Sequence, residues 1–165
     1  MYECKLVNVY KFDKSLMNSD CILIPKYMSH SILSVDSAMY CFKITYLNKF
    51  TYCRFSGISP DDNVHVPQWI LNDLNYEITQ TVNLECVSID EGKLLEVHCS
   101  KEVSDPTKIL EHAFRDHKIF YIGKKLIITM FDDFSIEFDV IGTDNNKPMR
   151  VSSEICYDIT YLNDI

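Results

Sequence analysis

The 165-residue chain is short of the residues that punctuate or cross-link small proteins, with only four glycines and five prolines. That excludes collagen-like and low-complexity architectures. Gly57, Gly92, Gly123 and Gly142 are scattered, whereas a loop that cradles phosphate needs its glycines clustered. No C-x-x-C pair is present, so a structural zinc site lacks its usual ligand spacing. No apolar run reaches the roughly 18 residues that a membrane-spanning helix requires. The opening stretch MYECKLVNVYKFDK carries Glu3 and no apolar h-region, unlike a secretory signal. Positive charge is also scarce. Sixteen basic against 24 acidic residues give −8, and such a surface repels a phosphate backbone, which disfavours nucleic-acid binding.

What remains is a globular composition, 47% hydrophobic and 24% charged, in a length that suits one ordinary domain or two small subdomains. The charge is uneven: residues 1–60 hold 7 basic and 4 acidic side chains, and residues 61–165 hold 9 and 20. An acidic second half suits a basic protein partner; a plain solvated acidic surface is the other reading. The seven cysteines, Cys4, Cys21, Cys41, Cys53, Cys86, Cys99 and Cys156, are odd in number and sit mostly in apolar runs. Buried, reduced thiols in the cytosol or nucleus fit that pattern.

Short β-branched and aromatic runs dominate. Strands are predicted at Cys21–Ile24, Met39–Leu47, Phe50–Phe55, Val82–Ile89, Lys93–Cys99, Lys125–Phe131, Phe134–Ile141 and Val151–Tyr161. In the sixth-to-seventh strand region Phe134, Ile136, Phe138 and Val140 alternate onto one face, and Asp132 with Asp133 suits the hairpin turn before them. Two short helices are predicted at Pro25–Leu33 and Pro67–Leu74, each with proline where its missing N–H is harmless. A third begins at the cap Asp105 and Pro106, carries the apolar stripe Ile109, Leu110, Ala113 and Phe114, and is expected to end near Lys118. A seam near residues 93–104 separates many short strands from a helix followed by strands, which implies a barrel and then a small α+β unit.

Chemistry-bearing patterns are sparse. His30, His65, His98, His112 and His117 could in principle meet a cysteine in a thiol hydrolase, but no nucleophile signature is present. His112 and His117 are five residues apart, about 140° around a helix, and a zincin helix needs four-residue spacing with an adjacent glutamate. No metal site is expected. Asp61–Asp62, Asp132–Asp133 and Asp139 lack the Asp-Thr/Ser-Gly context of an aspartic-protease lobe, and the acid pairs read as solvated turns. Trp69, the single tryptophan, either packs in or under the barrel or stands out as an anchor for a partner.

These segments carry a family resemblance. Ile22–Leu33 (ILIPKYMSHSIL), Met39–Ile44 (MYCFKI), Val64–Leu71 (VHVPQWIL), Thr81–Leu84 (TVNL) and Asp105–Arg115 (DPTKILEHAFR) follow one another in an order and spacing that resembles the N-terminal domain of the ubiquitin fusion degradation protein 1 family, from about residue 19 to residue 161. The Pro-x-Trp segment and the Asp-Pro helix are the most specific parts. The sequence departs from the family pattern in three places. Asn75–Gln80 (NYEITQ) stands where the family has a glycine-rich stretch, Gly123–Lys124 where it has Gly-Asp, and the N-terminal strand region is short, with Glu3–Phe12 as the candidate first strand.

The resemblance implies a mainly β fold with α+β character: a double-psi β-barrel over residues 1–95, then a small α+β subdomain over 96–165. It implies a non-catalytic domain, with no cofactor and no metal, that binds ubiquitin or polyubiquitin chains. Together with the nuclear-protein-localization 4 partner, family members deliver ubiquitylated clients to the valosin-containing-protein AAA ATPase for extraction and proteasomal degradation. The family's ATPase- and partner-binding segments lie beyond its globular domain, and hence outside this chain. A cytoplasmic and nuclear location is expected, with an organelle variant if a leader was removed.

The recognised face of ubiquitin is an apolar patch ringed by basic residues, so its receptor needs exposed apolar groups beside carboxylates. Candidate contacts are Glu111, His112 and Arg115 on the third helix and Asp132 with Asp133; a solvated face is the alternative for each. Weak single contacts would gain avidity from linked ubiquitins. Two other functions remain open: a same-fold interaction module without ubiquitin binding, for example in organelle protein import, and an enzyme on a double-psi barrel with converging acids or a Cys–His pair.

Overall fold

The apolar runs become twelve strands in two mixed sheets, in a computed structural model that describes residues 1–32, 40–130 and 134–161. The chain divides into two units, Met1–Ser88 and Ile89–Ile165. The first holds β1 (Tyr2–Cys4), β2 (Leu6–Asn8), β3 (Cys21–Ile24), β4 (Cys41–Tyr46), β5 (Lys49–Ile58), β6 (Val64–Val66) and β7 (Val82–Val87), with helices α1 (Lys26–Ile32) and α2 (Gln68–Leu74). The second holds β8 (Glu91–Cys99), α3 (Pro106–Ala113), β9 (Ile119–Phe120), β10 (Lys125–Thr129), β11 (Ser135–Thr143) and β12 (Met149–Tyr161). Leu33, Met39 and Phe131, outer ends of predicted elements, lie outside the described residues.

The first sheet runs β1-β7-β4-β5-β3-β6-β2. Its β1/β7, β7/β4, β4/β5 and β3/β6 pairs are antiparallel, while β2/β6 and β3/β5 are parallel. The two edge strands, β1 and β2, are neighbours in sequence with Lys5 alone between them. Laid flat, seven strands spaced about 4.8 Å apart would hold those edges roughly 29 Å from each other, whereas one residue reaches only about 3.5 Å. The sheet therefore curls around its core. No ladder joins β1 to β2 among the described residues; the chain itself ties the edges. Inside sit Ile22, Ile24, Phe42, Ile44, Val64 and Leu84, with Ile70 and Leu74 of α2 packed against them.

Local chemistry explains the turns. The β4–β5 hairpin closes over Leu47 and Asn48, with Leu47 at φ 53, a left-handed conformation uncommon for a bulky residue. The strand resumes at Lys49, one residue earlier than the pattern predicts. At the end of α2, Asn75 takes φ 51 and ψ 46 and its N–H donates to the carbonyls of Asn72 and Leu71. This is the left-handed helix cap that glycine usually fills and asparagine tolerates. Tyr76 then packs edge-on to Tyr46 at 5.4 Å, and its hydroxyl accepts from the Leu6 N–H.

The second sheet runs β10-β11-β8-β12-β9, with β12 parallel to β8 and the remaining pairs antiparallel. Helix α3 lies on one face, burying Leu110 and Ala113 among Val97, Phe120, Ile136 and Phe138. The expected boundary at residue 95 falls inside β8. All of β8 pairs with β11 and β12, and Ile89 and Asp90 already accept hydrogen bonds from Arg150, so the division is Ser88/Ile89. Helix α3 also stops short of Lys118. After Ala113 the backbone tightens into i→i+3 bonds, Arg115 to His112 and Asp116 to Ala113. Phe114 turns onto Phe120 and Tyr157 at 5.4 and 6.1 Å, which brings the chain round to β9.

Candidate functional site

Helix α3 starts as its sequence requires. The Asp105 carboxylate accepts from the Lys108 N–H at 3.2 Å, and Pro106 occupies the first turn. That backbone bond, with the Lys108 ammonium 3.1 Å away, holds the Asp105 pKa below the ordinary carboxylate value. The three predicted contact residues on this element are all exposed, but they serve different neighbours. Glu111 accepts a short hydrogen bond from the Tyr157 hydroxyl of β12. That bond, then burial and the nearby negative charges, pushes the Tyr157 pKa up to about 12. His112 lines an open groove of about 440 Å³ with Lys108, Ile109, Thr129 and Met130. Arg115 lies beyond the helix end, in the turn. No hydrogen bond or ion pair joins Glu111, His112 and Arg115. Asp132 and Asp133 lie outside the described residues.

The groove has an apolar floor, a cation and an imidazole, and no carboxylate among its described lining residues. It suits a small apolar or anionic group rather than acid–base chemistry.

The other face of the second sheet gathers more ionisable groups. Register places Lys125, Asp139, His98 and Thr160 in one row across β10, β11, β8 and β12. Ile127 and Glu137 form a neighbouring row, and Glu96 and Asp158 another. Lys125 reaches Glu137 at 2.8 Å and Asp139 at 3.3 Å; Glu137 first, then Asp139, raises its pKa above that of an ordinary lysine. The Asp139 contact is an ion pair without hydrogen-bond geometry, so Oδ1 of Asp139 is buried with no hydrogen-bond partner, as is Oγ1 of Thr160. An acid, an imidazole and a hydroxyl in adjacent strands invite comparison with a proton relay, but no described hydrogen bond links His98 to either neighbour.

Glu96 is positioned by an absence. A Cβ on Gly142 would lie 1.9 Å from Glu96 Oε2. Bare glycine at the β11 bulge between Val140 and Gly142 therefore lets the carboxylate lie across it. Asp139 lies in the strand the alternation predicts, on the face opposite α3. The alternation Phe134–Ile136–Phe138–Val140 already carried this signal, because it sends Glu137 and Asp139 to the opposite face.

In the first unit, Trp69 is half-buried against the core and donates from Nε1 to the Ser19 carbonyl at 2.7 Å, the packed arrangement of the two considered. Asp61 bonds to His65 Nε2 at 2.9 Å and to the Asn63 N–H. Burial opposes ionisation of Asp61, but those bonds outweigh it and lower its pKa. His65 is fully buried, edge-on to Phe12 at 4.8 Å, with Nδ1 unpartnered. Lys124 has no exposed surface. Its Nζ donates to the Ile119 carbonyl at 2.5 Å over the Phe120 ring, directly after Gly123 at φ 91. Nothing in a Gly-Lys-Lys stretch signals a buried lysine. No disulfide forms; Cys4, Cys41, Cys53 and Cys99 are buried, whereas Cys86 and Cys156 are exposed. Burial pushes the Cys4 thiol up to about 12.

Among the described residues no group of histidine, cysteine or carboxylate side chains is placed to hold a metal ion, and no helix is long and apolar enough to cross a membrane. The sequence matches no protein-family model and no curated protein.

Proposed function

We propose that the chain is a non-catalytic adaptor domain that binds ubiquitin or polyubiquitin chains and, in its cellular setting, helps deliver ubiquitylated clients to the valosin-containing-protein AAA ATPase. The supporting observation is the threading of the first unit. Its two parallel pairs, β2 with β6 and β3 with β5, are interleaved with antiparallel neighbours, and its edges are drawn together at Lys5. A double-psi β-barrel followed by a separate α+β unit would have this character, as the resemblance to the ubiquitin fusion degradation protein 1 family implies. Reduced, largely buried thiols are consistent with the cytoplasm or nucleus.

The test is a titration of the intact chain with monoubiquitin and with ubiquitin chains of defined linkage, followed by amide shifts. Binding that strengthens with chain length is expected, because linked units raise effective concentration. A spectrum unmoved by every chain type refutes the proposal and favours the same-fold module without ubiquitin binding.

A further inference from the structure

We infer that the outer face of the second sheet, opposite α3, is the surface that receives ubiquitin; the inference rests on the adaptor reading and names its site. Helix α3 covers the inner face, so Lys125, Ile127, Glu137, Asp139, Glu96, His98 and Asp158 point away from it. Large apolar groups stand exposed there: Ile127 at 68% and Leu94 at 41%, with the bulged Ile141 beside Gly142 at 42%. Four carboxylates, on Glu96, Glu137, Asp139 and Asp158, surround them. Lys125 is the one lysine or arginine in these rows, and it is already engaged by Glu137 and Asp139.

Glu96 and Asp158 are directly paired across β8 and β12, and neither receives a hydrogen bond or an ion pair from a described residue. Both carboxylates stand un-neutralised on the same face. A lysine or arginine brought by a partner would neutralise them, and the exposed isoleucine and leucine side chains would bury against the partner's apolar patch. Gly142 keeps the Glu96 carboxylate lying along the face. The α3 side offers the wrong complement for a basic-ringed patch: Glu111 is occupied by Tyr157, and the groove is rimmed by Lys108 and His112.

The whole chain, labelled with nitrogen-15, is titrated with monoubiquitin and with a ubiquitin dimer. The wild type is expected to shift amides of β8, β10 and β12. The pair Glu96→Gln with Asp158→Asn should weaken binding about threefold to tenfold and flatten its salt dependence. Ile127→Ser should weaken it by about tenfold, whereas Glu111→Gln leaves it unchanged. Melting curves check that each variant is folded; the replaced side chains are exposed or near-isosteric. If ubiquitin binds but these variants match the wild type and the shifts fall elsewhere, this face is wrong and the adaptor reading survives. If the wild type binds neither probe, both fall.

Discussion

Replacing Gly92 with alanine puts a carbon atom where the neighbouring strand already is. A Cβ there would lie 2.1 Å from Met149 Sδ, 2.9 Å from its Cγ and 2.8 Å from its Cβ. The sulfur can swing aside. The Met149 Cβ cannot, because β12 is pinned on both sides, by Arg150 opposite Glu91 and opposite Ile119. Carbon atoms rest at about 3.5–4.0 Å, so the strand must move. Overpacking of this kind costs roughly 1–3 kcal/mol, and the stiffer unfolded chain returns about 0.4–1 kcal/mol of it. The net loss is about 1–2 kcal/mol, and for a unit of this size each kcal/mol lowers Tm by about 4–8 °C. Gly142→Ala is the internal comparison. Its Cβ meets chiefly the far end of the Glu96 side chain, which can turn into solvent, so its cost stays below about 1 kcal/mol. Thermal unfolding followed by circular dichroism, with nuclear magnetic resonance of the Met149 methyl group, compares the two. Shortening Met149 to alanine in the Gly92→Ala background should restore little, since the Cβ contact remains. The reasoning is refuted if Gly142→Ala proves the costlier substitution, or if Gly92→Ala melts with the wild type.

Other expectations are as direct. Asp20, fully buried, pairs with Arg54 Nε at 2.5 Å; Asp20→Asn should cost about 3 kcal/mol in urea unfolding by leaving the guanidinium short of its charge partner. Trp69→Phe removes the donor to the Ser19 carbonyl and should cost about 1 kcal/mol, while the native tryptophan's fluorescence should report unfolding of the first unit. Tyr157 ionises at about 12 against a usual 10.0, so its contribution to stability is whole below pH 10 and vanishes as pH rises towards 12; Glu111→Gln should bring its ultraviolet titration back towards the usual value. Asp61 has the opposite sign. Its lowered pKa contributes stability above the ordinary value of 3.8 that is lost as pH falls below it, and Asp61→Asn should remove that part of the acid sensitivity.

Much of the fold was legible because period-two burial writes itself into sequence. The alternation in β11 and the cap-plus-stripe pattern of α3 located both elements, and Pro67 marked the start of α2. Other features escaped, among them the short strands β6 and β9 and the break of the Glu3–Phe12 candidate into β1 and β2. The domain boundary was misplaced because β8 follows β7 after only a few residues, and sequence cannot say that all its partners come later. The end of α3 was overrun because Lys118 and Arg115 read as ordinary helical residues, while the rings packed around Phe114 decide where the helix stops. The outer face of the second sheet was invisible as a unit. Glu96, Glu137, Asp139 and Asp158 come from three strands, and only the register of β11, β8 and β12 sets them side by side.

The single-residue link at Lys5 has a consequence for biosynthesis. Residues 1–8 are synthesised before the strands they pair with, for Tyr2 finds its mate at Leu84 and Leu6 finds its mate at Val64. Until then they are two unclaimed ribbons. A protease that removes residues 1–8 early would strip both rims of the first unit in one stroke and leave β7 and β6 bare, open to pairing with the wrong chain.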